Sequence, residues 1–286
     1  MRPSIIAGQF YEDDFTKLNQ QLELAFEQGP GSTPLEKREG NTIAAIIPHS
    51  QFKSSAKCAS WAYKELGESP QPFTYVILGA HHKNNLDKIL ISLEDFSTPF
   101  GIVKNDRNLA NKLLDSTTIV DEPSHAEEHS IELQLPFIQF INRRSLDTLR
   151  ILPIIVSTFD LKKIKTLAEK LSQVNNLIII ASSDLIHYGP LYNFTPFKYN
   201  IEEELENLTN NILDKILNLQ TETFLQIVEK NKATICGASS IAVLLEILKK
   251  RNIKKGKLLC HYSNSKDDEN SIDFASIIYN EIKDKQ

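Results

Sequence analysis

Leu177-Ile178-Ile179-Ile180-Ala181-Ser182-Ser183-Asp184-Leu185-Ile186-His187 is the stretch from which the fold is best read. Its apolar run, 177–181, predicts the strongest strand of the chain, and a buried one. The small residues behind it let the backbone turn sharply toward Asp184 and His187. Two other apolar runs end the same way. Ile43–Ile47 leads through Pro48 to His49, and Tyr75–Leu78 leads through Gly79-Ala80 to His81 and His82. Ligands and chemistry gather at the carboxyl ends of strands in an α/β sheet, and histidine is the commonest metal ligand. Four of only seven histidines stand at strand exits, which implies a built site.

Strands and helices alternate outward from this core. Asp13-Asp14 precede a helical pattern that Gly29-Pro30-Gly31 stops, and a polar loop covers 30–41. The pattern then predicts strand 42–47, helix 54–66, strand 73–78 and a strand near 88–92. A turn at Thr98-Pro99-Phe100-Gly101 and a short helix over 106–115 follow. Residues 127–141 are in helical phase, with Pro136 expected to kink or break them. Strand 150–156, helix 160–174 and strand 177–181 come next, then helices over 201–218, 221–231 and 237–251. Two strands close the chain, near 257–262 and 272–279, joined by a polar loop over 263–270. The expected fold is α/β, a predominantly parallel or mixed sheet with helices on both faces. No Pro/Gly/Ser-rich linker divides residues 1–286, so a single domain is expected.

The 286 residues are 41% hydrophobic and 24% charged, with a net charge of −5, values of a globular chain with a real core and no general affinity for nucleic acid. Lys249-Lys250-Arg251 ends a predicted helix, where cations favour the dipole. Apolar runs of about five residues fall far short of the ~20 that span a bilayer, and no signal-peptide core opens the chain. Three cysteines, Cys58, Cys236 and Cys260, do not make a disulfide scaffold and suit a reducing cytoplasm.

The chemistry is carried by few residues. Asp184 and His187 are spaced to share a hydrogen bond. A carboxylate on one imidazole nitrogen fixes the tautomer and frees the other nitrogen for a metal or a proton transfer; an Asp N-cap beside a packed His is the competing reading. Cys236 opens a helix, where the macrodipole lowers a thiol pKa and favours thiolate. Cys58 and Cys260 read as core residues. The acids of Glu127-Glu128-His129-Ser130-Ile131-Glu132 are explained by the helix dipole, His129 by packing or a place beside the site, and His125 by solvation. Two histidine nitrogens with a thiolate suit Fe(II), Zn(II) or copper better than Mg or Ca. There is no Walker loop, G-x-G-x-x-G, H-E-x-x-H or G-x-S-x-G.

Read together, these motifs resemble the Memo family, also called AmmeMemoRadiSam system protein B. Ala7-Gly8-Gln9-Phe10-Tyr11 is similar to A-G-x-W-Y, Pro48-His49 to P-H-A-G-Y, and Ile77-Leu78-Gly79-Ala80-His81-His82 to I-L-G-P-S-H. Glu128-His129-Ser130-Ile131-Glu132 with Leu135-Pro136-Phe137 matches E-H-S-I-E-x-x-L-P-F. Ser182-Ser183-Asp184 with His187-Tyr188 matches S-S-D-x-x-H-[YW]; Cys236-Gly237 and Tyr262-Ser263-Asn264-Ser265 match further positions. The chain departs at Ser50-Gln51-Phe52, where the family has A-G-Y, and at Ala80-His81 and Glu12, changes that alter the pocket lip.

The resemblance implies a single Memo-like domain with the fold of class III extradiol dioxygenases. It implies His49, His82 and Cys236 as metal ligands, with His81 the alternative to His82, and Asp184 and His187 as a pair that either supports the ligands from behind or transfers protons. A thiolate in place of the carboxylate of those dioxygenases favours iron(II) or copper over zinc. The implied activity is a metal-dependent oxidoreductase acting on a small-molecule or peptide ligand. A binding protein that uses the same pocket without turnover is the alternative, and a zinc hydrolase is less favoured.

Overall fold

The computed structural model describes residues 1–83, 86–265, 267 and 269–281. The chain begins with α1 (Phe15–Gln28), β1 (Thr42–Ile47), α2 (Phe52–Gly67) and β2 (Thr74–Gly79). Next come β3 (Lys88–Ile91), β4 (Phe96–Thr98), β5 (Gly101–Asn105), α3 (Arg107–Leu113) and β6 (Thr118–Val120). Then follow α4 (Glu122–Glu127), α5 (Leu135–Ile141), β7 (Arg150–Ser157), α6 (Leu161–Ser172), β8 (Leu177–Ser182) and β9 (His187–Tyr188). Helices α7 (Ile201–Leu217), α8 (Thr221–Asn231) and α9 (Ala238–Lys250) precede the hairpin β10 (Lys257–Ser265) and β11 (Ser271–Asn280). The hairpin takes strand pairing into part of the predicted 263–270 loop, whose Lys266 and Asp268 lie outside the described residues.

Among the described residues the strands form an eleven-stranded mixed sheet whose main path is β10-β11-β1-β8-β2-β7-β3-β6. Its centre, β1-β8-β2-β7, is parallel, whereas β11 joins β1, and β3 joins β7, antiparallel. The central strands feed two cores by simple alternation. Ala44, Ile46, Val76, Leu78, Ile179 and Ala181 pack under α6, α7, α8 and α9. Ala45, Ile47, Tyr75, Ile77, Ile178 and Ile180 pack under α1, α2 and α5. Burial on both faces is why these strands read as unbroken apolar runs rather than as alternating ones. Among the described residues no helix is long and apolar enough to cross a membrane.

The structure corrects the reading of residues 127–141. They do not form one kinked helix: α4 ends at Glu127, Glu128 is extended, a 3-10 turn spans Glu132–Gln134, and Pro136 lies in the first turn of α5. Proline has a fixed φ and no N–H to donate, so it suits a helix start better than a kink. His125 is likewise not solvated. It is buried, and its Nε2 lies 3.1 Å from the Leu90 carbonyl.

The N-terminal segment holds this irregular stretch in place. Arg2 and Glu132 form a buried ion pair at 2.7 Å. Arg2 also donates to the carbonyls of His125 (2.6 Å) and Glu128 (2.7 Å). Glu132 accepts from the backbone N–H groups of Ile5 and Ile6 and from the Tyr11 hydroxyl. The acid that looked like a dipole partner is therefore the anchor of a buried network.

Glu132→Gln leaves the Arg2 charge uncompensated in the interior and lowers stability by about 3–5 kcal/mol, read from the urea midpoint. Burial depresses the His125 pKa to about 4. The unfolded chain, with an ordinary histidine, therefore binds more protons between about pH 6.5 and 4, and stability falls as pH falls through that window. His125→Gln makes the slope of unfolding free energy against pH shallower by roughly one proton there, measured by urea unfolding at stepped pH.

Candidate metal centre

Three strand exits meet because β1, β8 and β2 lie side by side and parallel. Ile47 pairs with Ser182, and the Ser183 N–H donates to the Ile47 carbonyl at 2.9 Å. Pro48-His49 and Ser183-Asp184 therefore leave the sheet abreast. Asp184 ties the two loops together: one carboxylate oxygen accepts the His49 N–H at 2.9 Å, the other the Ser50 hydroxyl at 2.6 Å.

Two glycines allow the remaining parts to close over these exits. A Cβ on Gly79 would stand 2.6 Å from Ile131 Cγ1 and 2.7 Å from Ser130 Oγ. Its absence lets the 128–131 segment pack on the end of β2. A Cβ on Gly237 would stand 2.5 Å from the Ser182 carbonyl oxygen. Without it the start of α9 docks on Ser182-Ser183, where the Gly237 N–H donates to Ser183 Oγ at 3.0 Å. That contact carries Cys236 to the site.

One ligand atom each from His49, His82 and Cys236 lies within 4.8 Å of the other two. The tautomer of His49 follows from the bonds around Ser182. Tyr63 donates to Gln134 Oε1 at 2.7 Å, so the Gln134 amide nitrogen faces Ser182 Oγ, also at 2.7 Å. Ser182 spends its single proton on the Ser130 carbonyl at 2.7 Å. His49 Nδ1, 3.1 Å from Ser182 Oγ, must then be the donor, which leaves a lone pair on Nε2. That Nε2 is buried with no hydrogen-bond partner. Burial holds the His49 pKa down to about 3, against the pull of Asp184, so the ring is neutral and able to ligate.

Glu128 does for His82 what Ser182 does for His49. It accepts from the His82 backbone N–H at 3.0 Å and faces His82 Nδ1 at 2.9 Å. The Ser130 N–H steadies the same carboxylate at 2.8 Å. A carboxylate on Nδ1 directs Nε2 outward and makes it a better donor to a metal. Burial lowers the His82 pKa, but the Glu128 contact outweighs it and the net shift is upward. His129 stacks on His82 with ring centroids 4.5 Å apart, and the Phe10 ring covers it at 5.5 Å. The structure places His82, not His81, in the cluster; His81 Nδ1 turns toward Ser157 Oγ at 3.4 Å.

The second predicted pair is adjacent. His187 Nε2 lies 3.4 Å from Cys236 Sγ and 3.5 Å from Asp184 Oδ2, and Tyr192 packs edge-on against the imidazole. Both contacts fall on one nitrogen. The firm bonds of Asp184 go to His49 and Ser50, so the carboxylate is first a clamp and second a partner of His187. Cys236 corrects another expectation. It precedes the N-cap of α9, and its thiol pKa is pushed well up, first by burial and then by Asp184 and Glu128. The dipole argument fails because desolvation and two carboxylates oppose thiolate more strongly.

Glu128 and Ser182 were not singled out by reasoning on residue types, although both stand inside the motifs that the sequence displays. Their roles depend on bonds to residues 46 and 133 positions away, which no local pattern encodes.

Comparison with known proteins agrees with the motifs. A family model described as Memo-like protein matches residues 2–281. A MEMO1 family protein of Methanosarcina barkeri is 34% identical, the match covering 93% of each chain. Another, from Pyrococcus furiosus, is 31% identical over 97% of this chain and 98% of its own. The chain belongs to the Memo family. A crystal structure of an uncharacterised protein of Escherichia coli K12 shares the fold, with a TM-score of 0.52, 12% identity, and coverage of 83% of this chain and 99% of that one.

Gly237→Ala forces backbone apart at the site and lowers stability by about 1–3 kcal/mol, read from the thermal or urea midpoint.

Proposed function

We propose that this Memo-family chain binds a redox-active metal through His49 Nε2, His82 Nε2 and Cys236 Sγ and acts as an oxidoreductase on a small-molecule ligand. The observation that carries the reading is the orphaned, buried Nε2 of neutral His49, within 4.8 Å of donors from His82 and Cys236. A mixed nitrogen and sulfur set suits iron(II) or copper, with zinc less favoured, and such an ion supplies the one-electron chemistry that zinc lacks. Three protein donors leave coordination positions for a ligand.

The protein's own groups would do the rest. Ser182 and Glu128 orient the two imidazoles. His187 Nε2 is the nearby acceptor for the Cys236 proton as the sulfur becomes a thiolate, and Asp184 steadies the imidazolium that results. Ligand access is set by burial. His49 is 2% exposed, whereas the side chains of His82 and His129 are 31% and 26% exposed, so a ligand enters from the His82 and His129 side and meets the Phe10 lip.

The test is anaerobic purification and loading with iron(II) or copper(I), followed by metal analysis and oxygen uptake with catechols and thiols. Wild-type protein binds one equivalent; His49→Ala and Cys236→Ser lose it. Glu128→Gln weakens binding about 10–100-fold. His187→Ala keeps the metal and loses oxygen uptake. Wild-type protein that stays metal-free under these conditions sinks the proposal. Bound metal with no uptake replaces the oxidoreductase by a ligand- or peptide-binding protein.

A further inference from the structure

At the first two turns of α2, two cysteines meet across a helix and a strand. Ser54 and Cys58 lie one turn apart on the same face of α2. Cys260 and Tyr262 are alternate residues of β10 and share a face of that strand. The two pairs are in register: the Tyr262 hydroxyl donates to the Ser54 carbonyl at 2.6 Å, and Cys58 Sγ lies 3.9 Å from the Cys260 carbonyl oxygen. Ser276, paired with Cys260 across the β10–β11 ladder, donates to the Cys58 carbonyl at 2.6 Å and lies 3.7 Å from Cys58 Sγ. The two thiols shift each other's pKa, and both cysteines are free. Cys58 is fully buried beside Ile272 and Phe274, while Cys260 is partly open.

We propose that Cys58 and Cys260 form a peroxide-responsive dithiol that closes to an intrachain disulfide. The division of labour follows from exposure. Cys260 is reachable, and the neighbouring Cys58 thiol, with Lys57 adding to it, favours its thiolate against the opposing effect of burial. Burial pushes the Cys58 thiol well up, which suits a resolving group and not an attacking one. The Cys260 thiolate attacks one oxygen of a hydroperoxide and breaks the O–O bond. The sulfur becomes a sulfenic acid, and the other oxygen leaves as alcohol or water after taking a proton. Cys58 then attacks that sulfur, losing its proton, as the S–O bond breaks and water departs. Two thiols and one hydroperoxide give one disulfide, water, and an alcohol or second water; the sulfurs together lose the two electrons that the peroxide gains. A cellular thiol reverses the step by exchange. The bond would tie α2, which begins just after Ser50 and its bond to Asp184, to the C-terminal hairpin.

Full-length wild-type protein is treated with hydrogen peroxide, its free thiols are alkylated, and unreduced peptides are mapped by mass spectrometry. The expected product is a peptide pair joining Cys58 to Cys260, lighter by two hydrogens and released by dithiothreitol. In Cys58→Ser, dimedone marks Cys260; in Cys260→Ser, Cys58 stays unmodified. Wild-type protein that keeps both thiols, that links either one to Cys236 instead, or that holds Cys260 as sulfenic acid beside an alkylatable Cys58 overturns the proposal. The wild-type map decides the matter even if a variant folds poorly.

Discussion

One backbone bond, from the Ser183 N–H to the Ile47 carbonyl, sets the frame for everything at the site. It extends the parallel β1–β8 ladder by one step and makes two loops leave the sheet abreast. Buried polar groups must then find partners among themselves. Ser182 has one proton to give, and giving it to Ser130 obliges His49 to present Nδ1–H inward and a bare Nε2 outward. The chemical character of the site thus descends from satisfying hydrogen bonds around a sheet end. The same ladder brings Asp184 under the His49 backbone, so the loop that carries one imidazole is held by the loop that carries the other.

Two carboxylates underlie the cluster, Glu128 behind His82 and Asp184 beneath His49 and His187. Each is held below the usual carboxylate range against the opposing effect of burial: Glu128 by His82 and His129, Asp184 by His49, His187 and Ser50. Both are therefore ionised at neutral pH. They raise the thiol of Cys236 and favour a cation beside it, two expressions of the same local field. Burial is the larger cause of the protonated Cys236 sulfur, and the two carboxylates add to it.

Much of the frame was legible in the sequence. Runs such as 177–181 and 75–78 are unbroken because the strands are covered on both faces, and that burial is the property a hydropathy reading detects. His49, His82 and His187 stood out because strand exits are short and the distance from core to histidine is small. The motif resemblance placed Cys236 with them. What stayed hidden was non-local. Glu128 and Glu132 sit in a phase that mimics a helix, and only Arg2, more than 120 residues earlier, shows that the segment is pinned in another form. His125 looked solvated because its neighbours are Ser and Pro, yet the Arg2 network and Phe96 enclose it. The acidity of Cys236 was misjudged because a helix start is visible in a sequence and desolvation is not.

The place of β11 in the sheet has a consequence for how the chain is made. This late strand lies inside the sheet, between β10 and β1. Its Asp273 exchanges backbone bonds with Leu185 and Ile186 on the loop that leads to His187, each at 2.9 Å. A nascent chain whose Ser271–Asn280 segment is still within the ribosome has an open β1 edge and holds that loop without the Asp273 bonds, through Thr234 and Ile235 on its other side. Such long-range pairing slows folding, and an unpaired edge invites association with other chains. The late strand thus completes the cradle of His187, and a chain synthesised through β11 is the first in which both sides of that loop are held.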